Sequence, residues 1–341
     1  MDNQNPAFSY ANDFLRNFTS LVYEALPFII LGALIAGILE EYLPQKLITR
    51  ILPRSRTLAI ALGGLLGLLF PMCECGIIPV TRRLIRKGLP LSCCVAYILA
   101  GPIINGVVLL STYVAFAPFT PTEGAAFQLS AGWMVGLRAG LGYLIAITTA
   151  LIVDRMYEKH GNKLLMPLAI PGAMPVEEEK EEGPRRPLGQ RLANISEVAL
   201  HDFVDITVFL CLGALLAALV RLWLSHQIIE KLSHNYAILT ILFMMAVAVF
   251  LCLCSEADAF VAASFTTMAP AAKLAFLVLG PMLDFKLYFM YTRVFRPRLI
   301  WTIFISVLVQ VFVYAVLLHL LWGGFPAVWG GIPKLREVMG L

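Results

Sequence analysis

The chain has 341 residues, a formal net charge of +4, 59% hydrophobic residues and only 14% charged ones. A soluble domain carries about 25% charged residues. A mean hydropathy of +0.80, with the apolar residues gathered in long blocks, excludes a soluble globular enzyme and leaves an all-α polytopic membrane protein. The basic residues sit at segment ends, as positive-inside asymmetry requires, so the small positive balance marks no nucleic-acid partner.

Residues 1–11 are polar and lack a basic n-region with a cleavage site. The first apolar block, 21–39, therefore reads as a retained span rather than a signal peptide. Further apolar blocks cover 58–81, 89–115, 131–153, 204–220, 237–254, 274–290 and 299–321. That makes about eight hydrophobic segments, each near the roughly 20 residues a helix needs to cross the hydrocarbon layer. Between them, 154–197 is charged and Pro-rich, with Glu177-Glu178-Glu179 and five prolines from Pro167 to Pro187. Such a composition predicts a solvated linker. It separates 1–153 from 198–341.

The two parts resemble one another. Leu31-Gly32-Ala33-Leu34 answers to Leu212-Gly213-Ala214-Leu215. Cys73-Glu74-Cys75 answers to Cys252-Leu253-Cys254, Gly101-Pro102 to Gly280-Pro281, and Asn105 to Asp284, these three at one constant offset. The expectation is two internal membrane repeats with a substrate site at their interface, as in many secondary transporters. Charge placement separates two topologies. If 58–81 enters and returns as a re-entrant hairpin, the basic clusters around Arg50 and Arg83 share the cytoplasmic side and the repeats are inverted. If it crosses, the chain has eight full spans.

The stretch from Phe70 to Pro79 is the most informative. Pro71 and Pro79 lack a backbone donor and Gly76 is permissive, so helix breaks are expected at Pro71, Gly76, Pro79, Gly101, Pro102, Gly280 and Pro281. Irregular backbone at membrane depth survives where it is buried in protein or lines a wet cavity. Glu74 in that position is a functional candidate, because an ionisable group there costs about 2.5–3.5 kcal/mol or more. Cys73, Cys75, Cys252 and Cys254 are thiols suited to soft or borderline ions and to trivalent arsenic. Cys-x-Cys alone is a weak metal signal, since structural zinc sites use longer spacings, and no resident metal or cofactor is assigned. Asn105, Glu256, Asp258 and Asp284 complete the candidate substrate-binding set. Asp284 and Lys286, two apart, are not expected to share a helix face. His201, Asp202 and Asp205 read as a polar helix start. The seven cysteines lie mostly in apolar segments and show no disulfide spacing. No P-loop, GxSxG or HExxH pattern occurs, which argues against ATP-driven pumping by this chain and against a zinc protease.

Pro71-Met72-Cys73-Glu74-Cys75-Gly76 with Pro79, the following basic cluster and Ala100-Gly101-Pro102-Ile103-Ile104-Asn105 resemble the predicted permeases of the YraQ and YcgR type. That family includes the organoarsenical efflux permease ArsP. The likeness runs over nearly the whole chain, the linker excepted. It implies an inner-membrane permease for a small molecule or ion, surrounded by lipid, and admits a companion membrane protein as partner. The leading expectation is a secondary permease that exports a thiophilic or metalloid solute. The alternatives are a membrane thiol-redox protein and a non-transporting subunit of a two-component permease complex.

Overall fold

A computed structural model describes residues 6–42, 53, 55–69, 72–117, 130–166, 188–221, 237–265 and 268–329. Among the described residues the chain is all-helical, with no strand beyond one isolated bridge between Leu165 and Phe295. The helices are α1 (Pro6–Tyr42), α2 (Arg56–Leu69), α3 (Glu74–Arg86), α4 (Leu91–Ile104), α5 (Gly106–Phe116) and α6 (Ala131–His160). After a short 3-10 turn at Gly161–Leu164 come α7 (Leu188–Arg221), α8 (Ala237–Leu251), α9 (Ser255–Ser264), α10 (Pro270–Leu279), α11 (Phe285–Tyr291) and α12 (Pro297–Trp329).

Among the described residues, five helical stretches are long and apolar enough to cross a membrane: Phe14–Ile38, Leu91–Phe116, Ala131–His160, Gly189–Leu215 and Pro297–Leu321. The apolar helices at Arg56–Leu68, Ile238–Leu251 and Pro270–Leu279 are shorter. Eight predicted segments thus become five long helices and three short ones. Trp301, Ile305, Leu308 and Val309 of α12 are exposed. Exposed apolar residues at helical spacing are what a lipid-facing surface requires.

The helix breaks fall beside, not on, several of the residues expected to cause them. Gly76 and Pro79 lie inside α3, and Gly101 and Pro102 lie inside α4. A proline within the first two turns, or near the last turn, removes one ladder bond and leaves the rest of the helix intact. Among the described residues the interruptions are Met72–Cys73, Asn105, the stretch Cys252–Cys254, and the turn from Gly280 to Asp284. Gly280 and Pro281 therefore do mark a break, and Pro71 lies outside the described residues. Cys252 is held at φ +48°, a left-handed conformation costly for a residue with a Cβ, and there the chain turns from α8 into α9. Helix α6 continues to His160, where Gly161 at φ +55° ends it, and α7 begins at Leu188. Helix ends therefore extend into the expected linker, and 167–187 lie outside the described residues.

The long helices pair antiparallel. Thr149 Oγ1 lies 3.1 Å from Ser306 Oγ and accepts from Gln310 Nε2 at 2.9 Å, while the Arg296 backbone N–H donates to Leu164 O at 2.9 Å. As α6 advances, its partners on α12 recede. The same holds for α1 and α7: Leu21 clusters with Ala214, Gly37 packs on Ile195, and Glu41 Oε2 accepts from Asn194 Nδ2 at 2.8 Å. At one end of the bundle Arg56, which opens α2, lies 3.9 Å from Asp154 near the end of α6 and also pairs with Glu158. Ser92, at the start of α4, donates to the same Asp154 at 2.8 Å. Helix α3 ends at Arg86, just before α4 begins. The start of α2 and the end of α3 therefore lie at the same end of the bundle.

Glycines set how closely these helices approach. A Cβ on Gly67 of α2 would meet Gly101 Cα of α4 at 2.4 Å, and a Cβ on Gly32 of α1 would meet Gly76 O of α3 at 2.5 Å. Gly76 and Gly101 thus serve close packing inside helices, the small-residue contact that drives association in lipid. Gly67→Ala should cost about 1–3 kcal/mol through forced separation of α2 and α4. Gly136→Ala, where an added Cβ meets nothing within 4 Å, should be neutral or stabilising. Thermal unfolding in detergent reads both, and equal effects would show that the α2–α4 contact does not depend on the missing Cβ.

Candidate functional site

Four short helices begin near the centre of the bundle. Helix α3 starts after Cys73, α5 after Asn105, α9 after Cys254 and α11 after Asp284. Asn105 and Asp284 cap their helices in the same way. Asn105 Oδ1 accepts from Val108 N at 2.8 Å, and Asp284 Oδ1 accepts from Leu287 N at 2.5 Å. A short polar side chain that satisfies an orphan N–H favours this break over a continuous helix. Asn105 also reaches back with Nδ2 to Met72 O at 3.5 Å, tying the start of α5 to the chain entering α3.

A buried ion pair ties two of these starts together. Lys286 Nζ donates to Glu74 Oε1 at 2.8 Å, with the two side chains 3% and 1% exposed. Lys286 lies in the first turn of α11 and Glu74 opens α3. Lys286 Nζ is also 3.8 Å from Asp284 Oδ2. The sequence rule that residues two apart do not meet fails here. Asp284 is the N-cap, with extended backbone at φ −147° and ψ 172°, so helical spacing does not govern the pair.

Arg138 forms a second crossing point. It is fully buried in α6. Its Nη1 donates to Thr112 Oγ1 of α5 at 2.7 Å and its Nη2 to Ser255 O of α9 at 2.9 Å. It therefore clamps α5, from the first part of the chain, to the opening residue of α9, from the second. Asp258 sits in the first turn of α9, in the electrostatic field of Arg138, Glu74, Lys286 and Asp284. It is 1% exposed and its Oδ2 has no hydrogen-bond partner. Glu256 is half-buried, and its Oε2 accepts from Ser255 Oγ at 3.5 Å.

All seven cysteines are free thiols, and Cys73, Cys75, Cys252 and Cys254 are buried. Cys73 lies within electrostatic reach of Cys75, Glu74 and Cys254, and Lys286 within reach of Cys75 and Cys254. Cys252 donates its thiol to Val249 O at 3.3 Å and packs with Leu21 and Ala214. Among the described residues, no three His, Cys, Asp or Glu side chains are grouped so as to hold a metal ion. Cys73, Cys75 and Cys254 thus lie near the ion pair, with no coordination shell among the described residues.

The structure gathers Cys73, Glu74, Cys75, Asn105, Cys254, Asp258 and Asp284 around the helix starts. His201 instead lies exposed along α7, well past its start. Sequence reasoning left Arg138 out and mentioned Lys286 only as a neighbour of Asp284. The signal for Arg138 was available: it is the single charge within the apolar block 131–153, and a charge there is costly unless paired inside the bundle. Lys286→Met should cost about 3–5 kcal/mol, because it strands the Glu74 carboxylate in the core. Adding Glu74→Gln should recover much of that loss in thermal unfolding. Simple additivity of the two variants, within about 0.5 kcal/mol, would show that the pair is not coupled.

Comparison with known proteins places this geometry in a family. Residues 10–320 match the ArsP-type family, described as predicted permeases. The chain is 35% identical over 296 residues to the UPF0718 protein YcgR of Bacillus subtilis (strain 168), covering 86% of this chain and 92% of that one. It is 31% identical over 287 residues to a Streptococcus mutans serotype c protein named as a subunit of a two-component membrane permease complex, covering 84% and 88%. No solved structure is a significant match. Matches of this extent, on a chain with several membrane-length apolar helices, make it a multi-pass protein of the cell membrane that belongs to the ArsP-type predicted permease family.

Proposed function

We propose that the chain is a secondary permease built from two inverted halves, which exports a thiophilic or metalloid solute through a central site between them. The observation that carries this reading is the Glu74–Lys286 contact at 2.8 Å. It joins the first turn of a short helix from 1–153 to the first turn of a short helix from 198–341. Broken helices whose starts meet at membrane depth are the arrangement in which secondary transporters bind their substrates. The antiparallel pairing of α1 with α7 and of α6 with α12 supports the inverted relation. The shared end of α2 and α3 supports a re-entrant hairpin for 58–81. Around the ion pair, Cys73, Cys75 and Cys254 offer soft donors, which suit trivalent arsenic and similar solutes.

A second reading has its own support. The Streptococcus mutans relative is named as a subunit of a two-component permease complex, so the chain is alternatively one of two membrane subunits and transports only with its companion. Purified chain alone in proteoliposomes separates the two. Accumulation of para-carboxyphenylarsine oxide, a trivalent arsenical with a fixed charge, is expected from the chain by itself. Its appearance only after a companion protein is added would establish the two-component reading.

Two further outcomes follow from the same geometry. In a background without native cysteines, Arg56→Cys and Arg86→Cys should react with an impermeant maleimide from the same, cytoplasmic side. Reaction from opposite sides would sink the hairpin and restore eight crossings. Cys73→Ser and Cys75→Ser should each abolish arsenical transport, and the pair should add little, since ligands that act as a unit are not additive. Cys252→Ser, whose thiol is engaged with Val249 O, should keep most of the flux. Normal transport by the Cys73→Ser/Cys75→Ser variant would show that these thiols only fill space.

A further inference from the structure

The centre of the bundle is not electrically balanced. Glu74, Asp258 and Asp284 face Arg138 and Lys286, and each of the five is no more than 3% exposed. Three acids against two bases leave one negative charge, and an unbalanced charge in a low-dielectric interior is costly. The partners are unevenly shared. Lys286 takes Glu74 at 2.8 Å and Asp284 at 3.8 Å. Arg138 directs Nη1 to Thr112 Oγ1 and Nη2 to Ser255 O, both neutral acceptors. Asp258 is left with Oδ2 unpartnered, facing Gly280, where an added Cβ would come within 2.7 Å of that oxygen.

We propose that Asp258 is the proton-carrying residue of the permease, taking up one proton per cycle and so coupling solute movement to the proton gradient; the inference rests on the permease reading above. The proton comes from water on one side, converts the carboxylate to a neutral carboxylic acid, and leaves to water on the other. No bond to the solute is involved. The proton fits better than a metal ion because no three ligating side chains among the described residues are grouped to hold one. Its surroundings suit a group that must both bind and release. Arg138 from α6 and Lys286 from α11 bring positive charge near it, and Glu74 from α3 and Asp284 at the α11 cap bring negative charge. Glu256 shares the first turn of α9. Helix α5, packed on α9, carries no acidic or basic residue. On α10 the one charged residue is Lys273, whose ammonium lies 5.9 Å from the Phe116 ring centroid. The missing Cβ of Gly280 is what leaves room for Oδ2 at this packed contact.

Infrared difference spectra of the full chain in liposomes, taken between acid and neutral pH, test the inference without any solute. A carbonyl band of a protonated carboxylic acid is expected in the wild type and in Glu74→Gln, and is expected to vanish in Asp258→Asn. Persistence of the band in Asp258→Asn overturns the assignment. Should Asp258→Asn fail to fold, Asp258→Glu keeps the acid and must shift the band, and an unshifted band is equally decisive against it. Transport of para-carboxyphenylarsine oxide gives the second arm. Asp258→Asn should lose accumulation driven by a pH gradient and keep exchange of the arsenical across the membrane without a gradient. Loss of both, or retention of both, counts against coupling at Asp258. Absence of any flux in the wild type defeats the permease reading instead, and leaves the infrared assignment to stand or fall separately.

Discussion

A charge placed at membrane depth must find its partner within the protein, because lipid offers none. The Glu74–Lys286 pair is that constraint made concrete. Its two members come from widely separated parts of the chain, yet each stands in the first turn of a short helix. Neither position works if the helices run unbroken. Lys286 reaches Glu74 because α11 starts anew after Asp284, and Glu74 is available because α3 starts anew after Cys73. The breaks are therefore part of the electrostatic solution and not defects in the helices. Separating the pair would strand a charge, so the two parts of the chain are bound to one another at their buried centre.

Close packing is what allows the short helices to sit there. Gly213 on α7 has no Cβ where one would fall 2.7 Å from Lys286 Cα, and Gly32 on α1 lets Gly76 of α3 come equally near. The Leu-Gly-Ala-Leu segments of α1 and α7 each supply the glycine that faces a short helix. In water such a contact would be modest. In lipid, where apolar burial between helices gains little, the distance between backbones carries much of the association energy.

Much of this was legible in the sequence, and the failures have physical causes. Membrane class and the breaks at both Cys-x-Cys segments follow from composition and motifs, and Asn105 and Asp284 stood out as polar residues inside apolar blocks. Both residues cap a new helix, as a polar side chain inside an apolar block suggests. The expected breaks at Gly76, Pro79, Gly101 and Pro102 failed because a helix tolerates proline near its ends and glycine wherever a neighbour presses close. The meeting of Lys286 with Asp284 was hidden by applying helical periodicity to a residue that lies outside the helix. Arg138 was visible but passed over. A single arginine in an apolar block looks like an interruption until two carbonyl or hydroxyl acceptors, from distant segments, are seen to close on it. Which acceptors those are is a tertiary fact that no local pattern encodes.

The two clamps differ in a way that bears on movement. Glu74 and Lys286 are oppositely charged, and each becomes costly to bury if the other withdraws. Arg138 instead holds neutral acceptors on α5 and α9, so opening that contact strands no carboxylate, provided water reaches the guanidinium, which is itself costly to leave buried without partners. Alternating access requires that some contacts between the halves break while the charges at the centre stay paired. The α5–α9 contact holds neutral acceptors, and it contains Asp258, whose Oδ2 has no hydrogen-bond partner. In the proposed permease cycle the Glu74–Lys286 pair would be the pivot and the Arg138 contact the side that opens.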